Sequence, residues 1–223
     1  MNDALIAMVG GTGNLGAALA RRWVRAGLDV IIGSRDAARA AASAAQLSAA
    51  SGRTVAAASN RAAAERATTI VVTVPYAAHA ATLGEIAPVV QGKLLVDTTV
   101  PLVPPKVMRV QLPAEGSAAQ RAQQLLGPGV TVVSAFHSVA AHKLATDAVI
   151  DCDVLVFGDS RAARAQVIRL AEAAQLRGLH GGALANSAAA EALTSVLIFI
   201  NKTYAVDGAG VRITGALNEP GLE

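Results

Sequence analysis

The feature that most narrows the folds open to this chain is an apolar run followed at once by spaced glycines. "ALIAMV" (4–9) leads into Gly11-x-Gly13-x-x-Gly16, and apolar residues then recur at helical spacing at Leu15, Ala18, Leu19, Trp23 and Val24. The unbroken run reads as a strand buried on both faces, and the change of period as a helix packed against it. Gly11 permits the tight turn, Gly13 lets the backbone come close to a pyrophosphate, and Gly16 lets helix and strand approach. The helix N-terminus adds N–H donors for an anion. Glycines alone would be only a structural turn, but strand, turn, helix and a second strand in this order predict a dinucleotide site.

The end of the second strand selects the nucleotide. In "VIIGSRDAAR" (30–39) the strand stops at Gly33 and is followed by Ser34 and Arg35. A carboxylate at that point would accept from an adenosine ribose 2′-OH and would repel a 2′-phosphate. A hydroxyl and a guanidinium favour the phosphate instead, and Arg39 follows one helical turn later. NADP(H) is therefore expected over NAD(H). Asp36 fits the start of a helix, as an N-cap. The competing reading makes Arg35 and Arg39 ordinary solvated helix residues.

Further strands are expected at 54–59, 68–75, 93–100, 129–139 and 152–159, with helices over 36–50, 60–67, 161–175 and 188–206. The stretches 101–105 and 112–120 read as loop. Strand and helix alternating at this spacing call for right-handed crossovers and a parallel sheet. The fold class expected is α/β, a Rossmann-type doubly wound parallel sheet with a small C-terminal α/β segment. Residues 1–150 would form the NADP-binding domain. Residues 151–223 would form the smaller segment, and its last helix is apolar enough to suggest a homodimer interface.

Composition sets the remaining bounds. Of 223 residues, 53% are hydrophobic and only 3% aromatic, so the core is built from Ala, Val, Leu and Ile. A formal charge of +3, with basic residues scattered, is too weak to argue for nucleic acid or a membrane surface and is compatible with small anionic ligands. Cys152 is the single cysteine, which leaves no disulfide framework or metal cluster, and reads as a small buried apolar residue rather than a catalytic thiol. Met1 runs into the first strand without a basic leader, and "VLIFI" (196–200) is far shorter than the ~20 residues of a membrane span. A cytoplasmic protein is expected.

Taken together, "GGTGNLG", "IGSR", "LVDTTVPL" (95–102), "EGSAAQ" (115–120), "VVSAFHSV" (132–139) and "GVRITG" (210–215) resemble the NADPH:coenzyme F420 oxidoreductases, in the same order along essentially the whole chain. The resemblance implies a Rossmann domain holding NADP(H), a C-terminal segment that helps form a pocket for the deazaflavin coenzyme F420, and direct hydride transfer between the two rings. It places Thr12, Gly13, Asn14 and Leu15, with Gly11 and Gly16, at the pyrophosphate, and Ser34, Arg35 and Arg39 at the 2′-phosphate. Val74, Ala78, Val100 and Ala141 would line the nicotinamide side. His137, Val139 and Ala209 would meet the deazaflavin. Ser138 departs from the Asn common after this His in bacterial members, and Tyr76 from the Trp of archaeal ones.

Such a reaction asks side chains mainly for alignment and exclusion of water. His137 then serves to position the ring, with proton donation and a purely structural hydrogen bond as alternatives. His79, near a helix start, and His142, in a loop, carry less weight. Lys143, Lys202 and Arg212 lie in segments that could reach the anionic end of F420, with a solvated surface role as the competing reading of each. Two rivals remain at this point. One is an NADP-dependent imine or ketone reductase, although few residues follow the seventh strand to build a substrate domain. The other is a non-catalytic NADP-binding sensor module, against which the "SAFHSV" loop and "GVRITG" tail both speak.

Overall fold

The computed structural model describes residues 5–218. Among these, eight strands form one sheet: β1 (Ile6–Val9), β2 (Val30–Gly33), β3 (Ala56–Ala58), β4 (Thr69–Val72), β5 (Leu94–Asp97), β6 (Thr131–Ser134), β7 (Asp153–Phe157) and β8 (Arg177–Gly182). Their order across the sheet is β3-β2-β1-β4-β5-β6-β7-β8. β1 to β6 are parallel and in step, so that Gly33, Val9, Val72, Asp97 and Ser134 all end at one edge. Of these strands β1, β2, β4 and β5 are short, apolar and almost wholly buried, as a sheet covered on both faces requires, while the edge strand β3 is only partly buried.

Two helical layers cover the sheet. On one face α2 (Ala37–Ser51), α6 (Ala141–Leu144) and α7 (Arg161–Ala173) gather around α1 (Asn14–Arg25). On the other, α3 (Asn60–Arg66), α4 (Tyr76–Ile86), α5 (Ala118–Leu126) and α8 (Ser187–Tyr204) pack in succession. With so few aromatics, Ala40 and Ala44 of α2 and Ala119 and Ala122 of α5 are the residues pressed inward, which lets helices sit close to the sheet. Trp23 is the largest buried side chain. Its Nε1–H donates to the Leu170 carbonyl at 2.7 Å, and its ring meets Phe136 edge-on at 6.0 Å.

The doubly wound α/β fold expected from the sequence is present, with differences of detail, among them the additional helices α4 and α6, the latter carrying His142, expected in a loop. β7 runs antiparallel to β6, joined through Ser134 and Phe157, and so extends past the end of β6 beside the following loop. β8 was hidden by its composition, "RGLHGG". Glycine is a poor strand former, yet a Cβ on Gly178 would press on the Ile168 backbone at 3.1 Å and one on Gly181 would overlap the Phe157 ring. The expected loop 112–120 contains the start of α5. Ser117 caps that helix, accepting from the Gln120 N–H at 3.0 Å, a Ser-x-x-Gln capping signal that was legible in the sequence.

Leu184–Tyr204, which includes α8, is the one stretch among the described residues long and apolar enough by composition to cross a membrane. It packs against α5 and β7 along one face. Glu191 is buried on it, with its carboxylate accepting from the Ala118 and Ala119 N–H groups at the start of α5.

Arg22 ties the first layer together. It is buried on α1 and donates to four carbonyls: Leu144 from Nε, Ala174 from Nη1, and Thr146 and Ala148 from Nη2, each at 2.9 Å. The segment after α6 and the end of α7 thereby share one guanidinium. Hydrogen bonds to a charged donor contribute about 1.5–3 kcal/mol each, and a buried carbonyl left alone costs about 1–3 kcal/mol. Arg22→Met is expected to lose at least about 3 kcal/mol in urea unfolding, with Arg22→Lys between the two. A midpoint unchanged in Arg22→Met would show that the clamp does not hold the layer.

Candidate functional site

The crevice lies where the winding reverses. From β1 the chain crosses through α1 to β2 on one side, and from β4 through α4 to β5 on the other, each helix on a different face. The loops leaving β1 and β4 therefore diverge at the edge where both strands end, the position at which open α/β sheets bind ligands.

The glycine loop is fixed by backbone contacts. Gly11 N–H reaches the carbonyls of Met8 (3.1 Å) and Gly33 (3.0 Å), and Gly10 N–H reaches Asn60 Oδ1 (3.1 Å). A Cβ on Gly11 would lie 2.8 Å from the Met8 carbonyl, and one on Gly16 only 2.5 Å from Thr73 Oγ1 and 2.9 Å from the Gly11 Cα. These two glycines are required by the protein's own packing. Gly13 is different. A Cβ there would meet nothing closer than the Gly10 carbonyl at 3.4 Å, so no close protein neighbour explains it. Gly13 is also the N-cap of α1, with no side-chain cap and no acidic residue in the first turn. The N–H groups that open α1, from Asn14 to Gly16, are left for an anion.

The end of β2 lies against this loop. Thr12 Oγ1 and Ser34 Oγ are 3.4 Å apart, and Ser34, itself buried, accepts from the Asp36 N–H at 3.1 Å. Asp36 is the N-cap of α2, accepting from the Arg39 N–H at 3.0 Å, as its place in the sequence suggested. The Arg35 and Arg39 guanidinium groups are exposed, and among the described residues neither has an ion pair or hydrogen bond. A hydroxyl and two uncommitted cations thus flank the far end of the crevice.

Its inner side is formed by the turns after β4, β5 and β6. Val74 rests on Gly10, at 2.6 Å from where a Cβ would stand, and Ala78 closes the first turn of α4 through the Pro75 carbonyl. Val100 and Ala141 are partly buried, Val100 beyond the end of β5 and Ala141 at the start of α6. Behind these turns lies a pair that sequence reading missed. His79 lies in the first turn of α4, as expected of a residue near a helix start, and is fully buried there, with Nε2 2.7 Å from Asp97 Oδ2 at the end of β5. Burial works against the Asp97 charge, but His79 and the Thr99 N–H (3.0 Å) hold its pKa below the usual carboxylate value. An acid ending an apolar strand was the signal, because a buried carboxylate must find partners.

His137 sits beyond β6. Phe136 before it takes a positive φ of 67°, rare for a bulky residue, and this turns the chain so that His137 Nε2 lies 2.8 Å from Ser134 Oγ. Thr194 of α8 donates to the His137 carbonyl at 3.1 Å. Burial pushes the imidazole pKa down to about 4, against the opposing pull of Asp97. At neutral pH the ring is uncharged. Val139 is buried two residues on, and Ala209 is held over this region by its N–H bond to Asn201 Oδ1 at 2.7 Å. Of the other candidates, His142 is exposed and bonded to Asp207, Arg212 is paired with Asp151, and Cys152 is buried with its thiol pKa raised by burial.

The chain is similar to known proteins over most of its length. A family model described as NADP oxidoreductase, coenzyme F420-dependent, matches residues 5–101. The F420-dependent NADP reductase of Methanothermobacter marburgensis is 38% identical over 218 residues, covering 94% of this chain and 97% of that one. That of Methanocaldococcus jannaschii is 34% identical, again over 94% and 97%. Among solved structures, an Arthrobacter sp. FB24 protein provisionally assigned as an F420-dependent NADP reductase superposes with a TM-score of 0.79 over 96% of this chain and 100% of that one, at 23% identity. A pyrroline-5-carboxylate reductase from Coxiella burnetii shares the fold at TM-score 0.58 and 15% identity; the match covers 80% of this chain but only 59% of that longer one.

The state of His137 is directly measurable. Because its folded pKa of about 4 lies below the ordinary 6.5, the unfolded chain binds a proton between those values that the folded one refuses. The stability this confers is complete above 6.5 and falls as the pH is lowered toward 4. In an NMR titration the His137 ring protons are expected to stay flat between about pH 5 and 8. A midpoint near 6.5 would contradict the buried, neutral ring.

Proposed function

Because this chain belongs to the F420-dependent NADP reductase family, we propose that it is an oxidoreductase moving a hydride between NADP(H) and coenzyme F420, with the crevice at the β1–β4 reversal as its site. The observation that carries this reading is the pairing of an uncapped α1 N-terminus with Ser34, Arg35 and Arg39 at the end of β2. That arrangement suits a dinucleotide pyrophosphate and a 2′-phosphate together. Once bound, the two cofactors would supply the redox chemistry, a hydride exchanged between nicotinamide and deazaflavin with one proton taken up when F420 is reduced or released when it is oxidised.

The protein's part is positioning. Thr12, Gly13, Asn14 and Leu15, between Gly11 and Gly16, receive the pyrophosphate. Val74, Ala78, Val100 and Ala141 form a small apolar wall for the nicotinamide, and His137, Val139 and Ala209 receive the deazaflavin. Small side chains at Ala140 and Ala141 allow two rings to approach, while Ala135, also expected there, is fully buried in the core. A neutral His137, fixed by Ser134 and Thr194, orients the ring rather than donating a proton. In this reading residues 1–150 hold NADP(H), and residues 151–223 complete the F420 pocket and the subunit contact. For the rival imine or ketone reductase this chain offers no separate substrate domain among the described residues, since β7 and β8 extend the same sheet. A sensor module leaves the His137 loop without a purpose.

The setting proposed is the cytoplasm, with small-molecule substrates and no nucleic acid or membrane partner. A homodimer through α8 is supported by Val196 and Phe199, which are 43% and 51% exposed on that apolar helix. Sedimentation is expected to give twice the 22.4 kDa chain mass, and Phe199→Glu to return the monomer. A monomeric parent protein would end that part of the reading.

Mixing the protein with NADPH and F420 tests the reaction, because reduction bleaches the deazaflavin absorbance. Bleaching is expected; NADPH binding without it would favour a sensor. Arg35→Ala is expected to raise the KM for NADPH about 10- to 100-fold, the worth of one or two charge-assisted bonds, while barely changing NADH. Equal losses with both nicotinamides would place the phosphate clamp elsewhere. His137→Ala is expected to depress F420 turnover more than NADPH binding.

A further inference from the structure

Asp153 begins β7 with its carboxylate fully buried, and of the residues named for the cofactors only Arg212 comes near it, at 3.8 Å. Three donors meet it: Arg177 Nε and Nη2, each at 2.6 Å as a two-pronged fork, and the Ile213 N–H at 2.7 Å. Arg177 Nη2 also donates to the Ile213 carbonyl at 3.0 Å, and the Asp153 N–H donates to the Val211 carbonyl at 2.7 Å. One buried acid and its arginine therefore fasten residues 211–213, a stretch outside any helix or strand, to the start of β7.

What precedes that fastening lies across the loop after β6. Gly210 is pressed on Cys152, with room for no side chain: a Cβ would stand 2.6 Å from Sγ and 3.5 Å from the Ser138 carbonyl. Gly208 is equally tight against Ala140, at 2.7 Å, and Asp207 bonds His142. Because β7 is antiparallel, its first residues run beside this same loop instead of away from it. Residues 207–213 thus form a strap over 138–142, joined to α8 by Asn201.

We propose that Asp153 and Arg177 are a positioning pair for the deazaflavin half of the site, acting through this strap to hold Val139, Ala141 and Ala209 in register with His137. The inference rests on the proposed F420 pocket and adds to it two residues that touch no cofactor. A fixed strap keeps the pocket shaped before binding, whereas a loose one must be ordered by the ligand, which weakens binding of that ligand alone.

Two variants loosen the strap by different routes. Asp153→Asn keeps the shape but removes the charge under the Arg177 fork, and Gly210→Val wedges the strap off Cys152. Each is expected to raise the KM for F420 about tenfold, to change the KM for NADPH by less than about twofold, and to speed amide exchange in 207–213 and 138–142 but not in β1 or β2. The double variant is expected to be no worse than the poorer single, since both act on one element. Parallel rises in both KM values, or faster exchange with the F420 KM unmoved, would overturn the proposal. If the unaltered protein fails to reduce F420, the functional reading falls on that result. The exchange measurement then decides the clasp by itself: unchanged exchange in Asp153→Asn would reject it.

Discussion

The close approach of α1 to the ends of β1 and β4 is the constraint from which the remainder of the site follows. It is possible only because Gly11 and Gly16 lack a Cβ where Met8, Thr73 and the loop's own backbone would collide with one. With the helix drawn in, its first N–H groups open toward the crevice without a cap, while the Gly11 bond to Gly33 brings the end of β2 alongside. The anion-receiving helix end and the cations that would read a 2′-phosphate are therefore parts of one packing arrangement. Shifting the helix outward would separate them.

Behind this edge the protein maintains a buried polar layer. Asp97 with His79, Ser134 with His137, and Glu191 on the start of α5 lie at or beyond the ends of the central strands. Each obeys the same rule, that a polar group removed from water must be bonded. Burial shifts two of them toward their uncharged forms, His137 down to about 4 and Glu191 up to about 8, the latter opposed by the two N–H bonds it accepts. A layer of this kind fixes the turns in front of it with directional bonds, where alanine and valine contacts would permit sliding.

The reversed strand β7 gives the C-terminal third its role. A parallel β7 would carry the chain away from the loop after β6. Running antiparallel, it lies beside that loop, and the tail after α8 can be pinned between them. Asp153 and Arg177 hold the tail from one side and Asn201 from the other. The segment that a linear division of the chain treats as an appendage thus shares the single sheet and frames one half of the proposed site.

Period and punctuation by themselves determined the first six strands, the glycine turn, the cap at Asp36 and the cationic end of β2, because each depends on neighbours within a few residues. The capping signal at Ser117 was equally local and could have been read. β8 could not: its glycines are strand residues only because α7 and Phe157 lie on top of them. The direction of β7, the fourfold use of Arg22 and the pairings His79–Asp97 and Asp153–Arg177 likewise belong to the tertiary structure. They join residues 18 to 152 positions apart, and a buried charge announces in sequence only that it needs a partner, never which one.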